Sequence, residues 1–181
     1  MSTVVEATIE DLYAVEGKAE LINGRIVHMS PTGDDPNNCA SEIFVNLRMH
    51  GKQTGAGRAV VDNAAFLCDL PHRKSLSPDA AFYTGRPGGM KFFPDAPVFA
   101  VEVRSEGDYG KRAEEAMRQK RMDYFAAGTK VVWDVDLLSE DVIKSYDFAD
   151  PDNPRIFRRR EITDAEPAVP GWMMKVDDLF A

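Results

Sequence analysis

Residues 98–103 read Val-Phe-Ala-Val-Glu-Val, and they admit few folds. A run that is apolar on both of its alternating faces belongs at the centre of a sheet covered on both sides. The chain supplies the cover. Ala40, Ile43, Phe44 and Leu47 recur at i, i+3, i+4, i+7 behind the helix start Asp34-Asp35-Pro36, and a second helix is expected over residues 110–127, closed by Gly128. Further strands are expected at 59–61, 65–68, 77–83, 131–135 and 142–146, with weaker edge candidates at 156–157 and 172–176. A strand–turn–strand unit over residues 19–29 pivots on Asn23-Gly24, whose residues favour the positive φ of a tight hairpin. The expected class is α/β: a mixed β-sheet flanked by helices, with an N-terminal β-hairpin.

At 181 residues, with no repeat or long linker, residues 1–181 read as a single domain. A domain of that size buries about 70% of its extended-chain surface and needs neither a disulfide nor a metal merely to fold. Cys39 and Cys68 fit no zinc spacing and sit in apolar company, as small hydrophobes in a reducing compartment would. Residues 1–10 lack the basic-then-apolar pattern of a signal peptide, and no stretch reaches the ~18 apolar residues of a membrane helix. The expectation is a cytoplasmic protein without membrane contact. A net charge of −8 and a pI of about 4.9 argue against a protein that coats nucleic acid. They leave room for a nuclease, whose contact patch is local and whose metal brings positive charge to the site.

Three residues violate local logic. Glu102 interrupts the most apolar strand, where an ionised carboxylate is costly unless paired or metal-bound; alternatively the strand ends there and Glu102 meets solvent or Arg104. Asp79, in Ser77-Pro78-Asp79-Ala80-Ala81-Phe82-Tyr83, shares a strand face with Ala81; an edge aspartate after proline is the ordinary alternative. Lys120 falls in the helical stripe of Ala113, Ala116, Met117 and Tyr124, where it either snorkels to solvent or meets an internal anion. Two carboxylates on neighbouring strands with an inward lysine are what metal-assisted phosphodiester hydrolysis needs. Mg²⁺ is typically held by one or two carboxylates plus waters and substrate oxygens, and it lowers the pKa of a bound water.

The Pro78-Asp79 pair, followed by Glu102-Val103-Arg104 at the end of an apolar strand, resembles the PD-(D/E)XK nuclease superfamily. The closer resemblance is to its Uma-type family of restriction-endonuclease-like proteins. The matching landmarks begin with Glu20-Leu21-Ile22-Asn23-Gly24, Ser30-Pro31-Thr32-Gly33 and Ser77-Pro78-Asp79. They continue with Val101-Glu102-Val103, with Lys120 four residues before Tyr124, with Ala127-Gly128, and with Val132-Trp133-Asp134-Val135-Asp136. They span residues 8–147.

The resemblance implies a restriction-endonuclease-like core, a DNA substrate, Mg²⁺ as cofactor with Mn²⁺ able to substitute, and a homodimer. It implies Asp79 and Glu102 as metal ligands, the Val103 carbonyl as a third, and Glu20 as a further acid near the site. Where the superfamily places lysine two residues after the second acid, this chain has Arg104, which is expected to contact substrate phosphate. Uma-type relatives commonly carry the lysine on the following helix, here Lys120, which would position water or phosphate. The histidine that often follows Ser-Pro-Thr-Gly in relatives is replaced by Asp34-Asp35-Pro36-Asn37-Asn38. The rival expectation is a non-catalytic dimeric module that retains the nuclease fold for binding or regulation. His28, His50 and His72 form no metal motif. The clusters Arg158-Arg159-Arg160 and His72-Arg73-Lys74 read as solvated charge or as contacts to nucleic-acid backbone.

Overall fold

A computed structural model describes residues 5–181. Of the segment read for a signal peptide, residues 1–4 lie outside the described residues. A capped turn of helix, α1 (Ile9–Tyr13), leads into the hairpin β1 (Ala19–Ile22) and β2 (Arg25–His28). Asn23 and Gly24 have φ of 49° and 65°, the paired positive values that a two-residue hairpin turn requires. Helix α2 (Asp34–Thr54) ends on Gly55 at φ 69°. Then follow β3 (Arg58–Val61), β4 (Phe66–Leu67), β5 (Ser75–Leu76), β6 (Ala80–Tyr83), β7 (Phe99–Val103), α3 (Lys111–Ala126), β8 (Val131–Val135), β9 (Ile143–Asp147) and β10 (Asp150–Phe157). The chain closes with β11 (Ile162–Asp164), β12 (Met173–Lys175) and a 3₁₀ turn (Val176–Phe180).

Six strands form the main sheet in the order β10-β9-β8-β7-β6-β3. The β7–β8 pair is parallel and every other neighbouring pair antiparallel. A parallel pair needs a crossover, and α3 supplies it. The run at 98–103 is the inner strand its apolarity predicts: Phe99, Ala100 and Val101 are fully buried. Its odd residues join the core beneath α2, with Ile43, Leu47, Phe82, Trp133 and the C-terminal Trp172. Its even face, carrying Ala100, packs with Ala81, Val132 and Tyr124 of α3. Burying the inward side chains of α2 and of this strand stabilises the fold by roughly 1.5–3 kcal/mol each. Position 102 therefore points toward α3.

Two strand expectations need correction. Residues 77–83 are not one strand: Ser75 and Leu76 pair with β4, whereas Ala80–Tyr83 joins the main sheet. Pro78 lies between them and has no N–H for a ladder, so Asp79 marks the place where the chain changes sheets. The strand expected at 156–157 begins at Asp150, through Pro151 and Pro154, with a register irregularity between Asp150 and Arg155. Proline is tolerated there because β10 is an edge.

Candidate active site

The antiparallel register sets Ala80 opposite Val101, and the Asp79 N–H donates to the Val101 carbonyl at 2.9 Å. The next pair outward is Asp79 and Glu102, on one face of adjacent strands, and both line a cavity of about 460 Å³ between sheet and α3. One Asp79 oxygen accepts the Val103 N–H at 2.8 Å, and the other accepts Lys18 Nζ at 2.7 Å. Lys18 also reaches Asp62 at 2.6 Å. Glu102 accepts Tyr124 Oη at 2.6 Å and Lys120 Nζ at 2.9 Å. Positions 120 and 124 stand one turn apart on α3, which is why both meet one carboxylate.

Lys120 continues to Glu20 at 3.1 Å. Glu20 is 1% exposed, and its carboxylate also takes the Ser77 N–H at 2.8 Å and the Arg73 guanidinium. Arg73 Nε closes the series on Asp123 at 2.6 Å. Signs alternate along this array, Asp62–Lys18–Asp79 and Glu102–Lys120–Glu20–Arg73–Asp123, and the alternation fails once. Where Asp79 faces Glu102, no ion pair among the described residues bridges the two carboxylates. Five acids against three cations leave the array with more carboxylates than cations, and His72 lies 2.8 Å from Asp123.

The titration behaviour follows. Burial pushes the Glu102 carboxyl up to about 7, opposed by Lys120 and reinforced by the charge of Asp79. Burial also pushes Glu20 up, but Lys120, Arg73 and the Ser77 N–H outweigh it and hold Glu20 below the usual carboxylate range. For Lys120, desolvation favours the neutral amine, yet the charges of Glu102 and Glu20 prevail and raise its pKa. Lys120 stands as an ammonium donor to both carboxylates. Lys18 is raised in the same way: Asp79 and Glu102 overcome its burial.

Among the described residues no three His, Cys, Asp or Glu side chains form a ready-made metal cage. The Asp79–Glu102 pair nevertheless fits Mg²⁺, which is commonly content with one or two carboxylates and keeps its waters. The array's net negative charge has the sign that a bound cation needs. Each carboxylate oxygen retains acceptor capacity beyond the hydrogen bond it already takes.

Arg104 corrects an expectation. Rather than facing substrate phosphate, it is 6% exposed and bidentate to Asp134, at 2.8 and 2.7 Å, with its remaining donors on Glu114 and the Asp108 carbonyl. A guanidinium so committed has no fork to offer phosphate. Of the basic clusters, Arg73 is buried in the array, Lys74, Arg158 and Arg159 pair at the surface with Asp69, Asp141 and Asp177, and Arg160 enters no ion pair among the described residues.

Two basic lining residues went unrecognised in the sequence. Lys18 stands two residues before Glu20, the spacing that puts both on one face of an extended segment. Arg121 completes the α3 stripe eight residues after Ala113, and it too lines the cavity.

A family model described as Uma2, "Putative restriction endonuclease", matches residues 8–178. A solved structure from Anabaena variabilis, described as a "putative nuclease belonging to DUF820", superposes with a TM-score of 0.72 at 17% identity. The match covers 96% of this chain and 97% of that one, so the two share a fold. Comparison with curated proteins gave no match.

Proposed function

The chain belongs to the Uma2 family of restriction-endonuclease-like proteins, and we propose that it is a metal-dependent endonuclease that hydrolyses DNA phosphodiester bonds at the Asp79–Glu102 pair. The observation that carries this reading is the break in the ion-pair array, where two carboxylates, each held by its own lysine, face each other with no cation bridging them. Asp79 and Glu102 would hold Mg²⁺ or Mn²⁺, with the Val103 carbonyl beside them. The ion supplies Lewis acidity, neutralising charge at phosphorus and making water a competent nucleophile at neutral pH. Hydrolysis forms a bond from water oxygen to phosphorus, breaks the bond to one bridging oxygen, and leaves the water proton to the released hydroxyl or to solvent.

The chain's own groups do the positioning. Glu20, tied to Arg73 and the Ser77 N–H, fixes Lys120 on the cavity wall. The Lys120 ammonium stabilises negative charge on a non-bridging phosphate oxygen or orients the attacking water. Tyr124 holds Glu102 in place from the same helix face. Arg104, through Asp134 on β8 and Glu114 on α3, clamps the crossover helix against the sheet and so sets where Lys120 stands.

The test is plasmid scission with EDTA, Ca²⁺, Mg²⁺ and Mn²⁺. Nicking with Mg²⁺ or Mn²⁺ alone is expected, and none under any ion would leave a non-catalytic module. Specific observations favour that rival: a net charge of −8, and lysines already seated on both carboxylates.

Metal binding should depend on pH. Because Glu102 titrates at about 7, binding below that pH must expel its proton. Calorimetric Mn²⁺ affinity is expected to fall about tenfold for each unit below 7 and to level off above it. A flat profile between pH 5 and 8 would remove Glu102 from the ligand set.

A further inference from the structure

We propose that Arg121 forms an anion subsite on the wall of the same cavity and takes a phosphate group of the nucleic-acid backbone. The nucleic-acid half of this assignment rests on the function proposed above; the anion subsite does not. Arg121 is 9% exposed, and its buried Nε has no hydrogen-bond partner. It enters none of the ion pairs among the described residues, although the charges of Asp134 and Asp152 act on it.

The other cations lining the cavity are committed. Lys18 is held between Asp62 and Asp79, and Lys120 between Glu102 and Glu20. Asp134, an acid whose charge acts on Arg121, already receives two donors of Arg104. A buried guanidinium nitrogen without a hydrogen-bond partner is costly, and in a native fold it points to an acceptor, water or an anion, that the protein does not itself supply.

Its setting suits an anion that presents two neighbouring oxygens. The guanidinium carbon lies 3.6 Å from the Tyr146 ring centroid, a stacking distance that fixes the guanidinium plane and leaves its edge N–H groups for an acceptor. Burial lowers the Arg121 pKa, but an arginine remains charged under all working conditions. Two parallel N–H donors match two phosphate oxygens, which a lysine cannot reproduce. Arg121 and Lys120 line the same cavity, so a phosphate on Arg121 lies along the wall that carries the proposed centre. Asp79 and Glu102 line the same cavity and repel an anion until a divalent ion offsets them, so the subsite should fill best with metal present.

The test uses the full chain and its Arg121→Met and Arg121→Lys variants. Anisotropy of a fluorescein-labelled duplex is measured in Ca²⁺ across a KCl series, beside ³¹P NMR line broadening of inorganic phosphate in Ca²⁺ and calorimetry with Mn²⁺. Arg121→Met is expected to bind the duplex about tenfold more weakly, with a log–log salt slope shallower by about 0.9, the loss of one phosphate contact. Arg121→Lys should keep the wild-type slope and bind more weakly. Mn²⁺ affinity should be the same in all three, and phosphate broadening should vanish in Arg121→Met.

Wild-type affinity, slope and broadening in Arg121→Met would overturn the subsite while leaving nuclease activity standing. Parallel loss of Mn²⁺ binding would also overturn it, since Arg121 would then act by holding the fold. Phosphate bound through Arg121 by a protein that neither binds nor cuts DNA would retain the anion subsite, overturn its nucleic-acid assignment and reject the proposed function.

Discussion

Lys120→Met is expected to fold normally and to cleave DNA at least about 100-fold more slowly, the usual loss when one preorganised donor to the transition state is removed. Folding survives because neither acid that Lys120 contacts is stranded. Glu20 keeps Arg73 and the Ser77 N–H, and Glu102 keeps Tyr124. With Lys120 gone, the Glu102 carboxyl titrates still higher, since its main opposing charge has left. Above that raised pKa, Mn²⁺ should bind at least as tightly as in the wild type, because a like charge has been removed from beside the site. Slow cleavage with intact metal binding separates a transition-state contact from a metal ligand; single-turnover rates and Mn²⁺ calorimetry measure the two. A folded Lys120→Met protein that cleaves at the wild-type rate would remove Lys120 from the chemistry.

Arg104→Met is expected to lower stability to unfolding by about 3–5 kcal/mol, the cost of removing one partner from a buried ion pair. Asp134 would be left with its carboxylate inside the fold, its side chain only 6% exposed. Glu114, on the other side of Arg104, has a side chain 52% exposed, so Glu114→Gln should cost no more than about 1 kcal/mol. Urea unfolding of both variants gives the comparison. The duplex salt slope should be unchanged in Arg104→Met measured where it remains folded. Wild-type stability with a shallower salt slope would restore Arg104 as a phosphate contact.

The parts of this fold legible in the sequence are those with a local period. The apolar run at β7, the 3.6-residue rhythm of α2 and α3, and Asn23-Gly24 each carry their structural instruction within a few residues. Glu102 and Lys120 stand out for the same reason, as polar residues inside an apolar pattern. The ion-pair array has no such mark. Lys18 meets Asp79 across 61 residues and Arg73 meets Glu20 across 53, and no window of sequence brings those partners together. Arg73 therefore reads as surface charge, and Arg104 as a phosphate contact, because the acids that bury them come from other strands and another helix. Arg121 is legible in principle: it lies in the α3 stripe at the eighth position after Ala113. Its neighbour Lys120 fits the same stripe, and two consecutive basic residues on a helix look like one inward and one outward until Tyr146 is seen beneath the second.

The centre stands or falls on whether the Asp79–Glu102 pair drives strand scission through a divalent ion. Plasmid nicking in Mg²⁺, with wild type and Asp79→Asn side by side, measures it most directly. The asparagine side chain keeps the size of the aspartate and a carbonyl oxygen for the Val103 N–H, so the fold should be retained while one of the two facing charges is lost. The wild type should convert supercoiled plasmid to open circle in Mg²⁺ and not in EDTA, and Asp79→Asn should do so in neither. Nicking by Asp79→Asn at the wild-type rate, or equal nicking by the wild type with and without metal, would contradict the account.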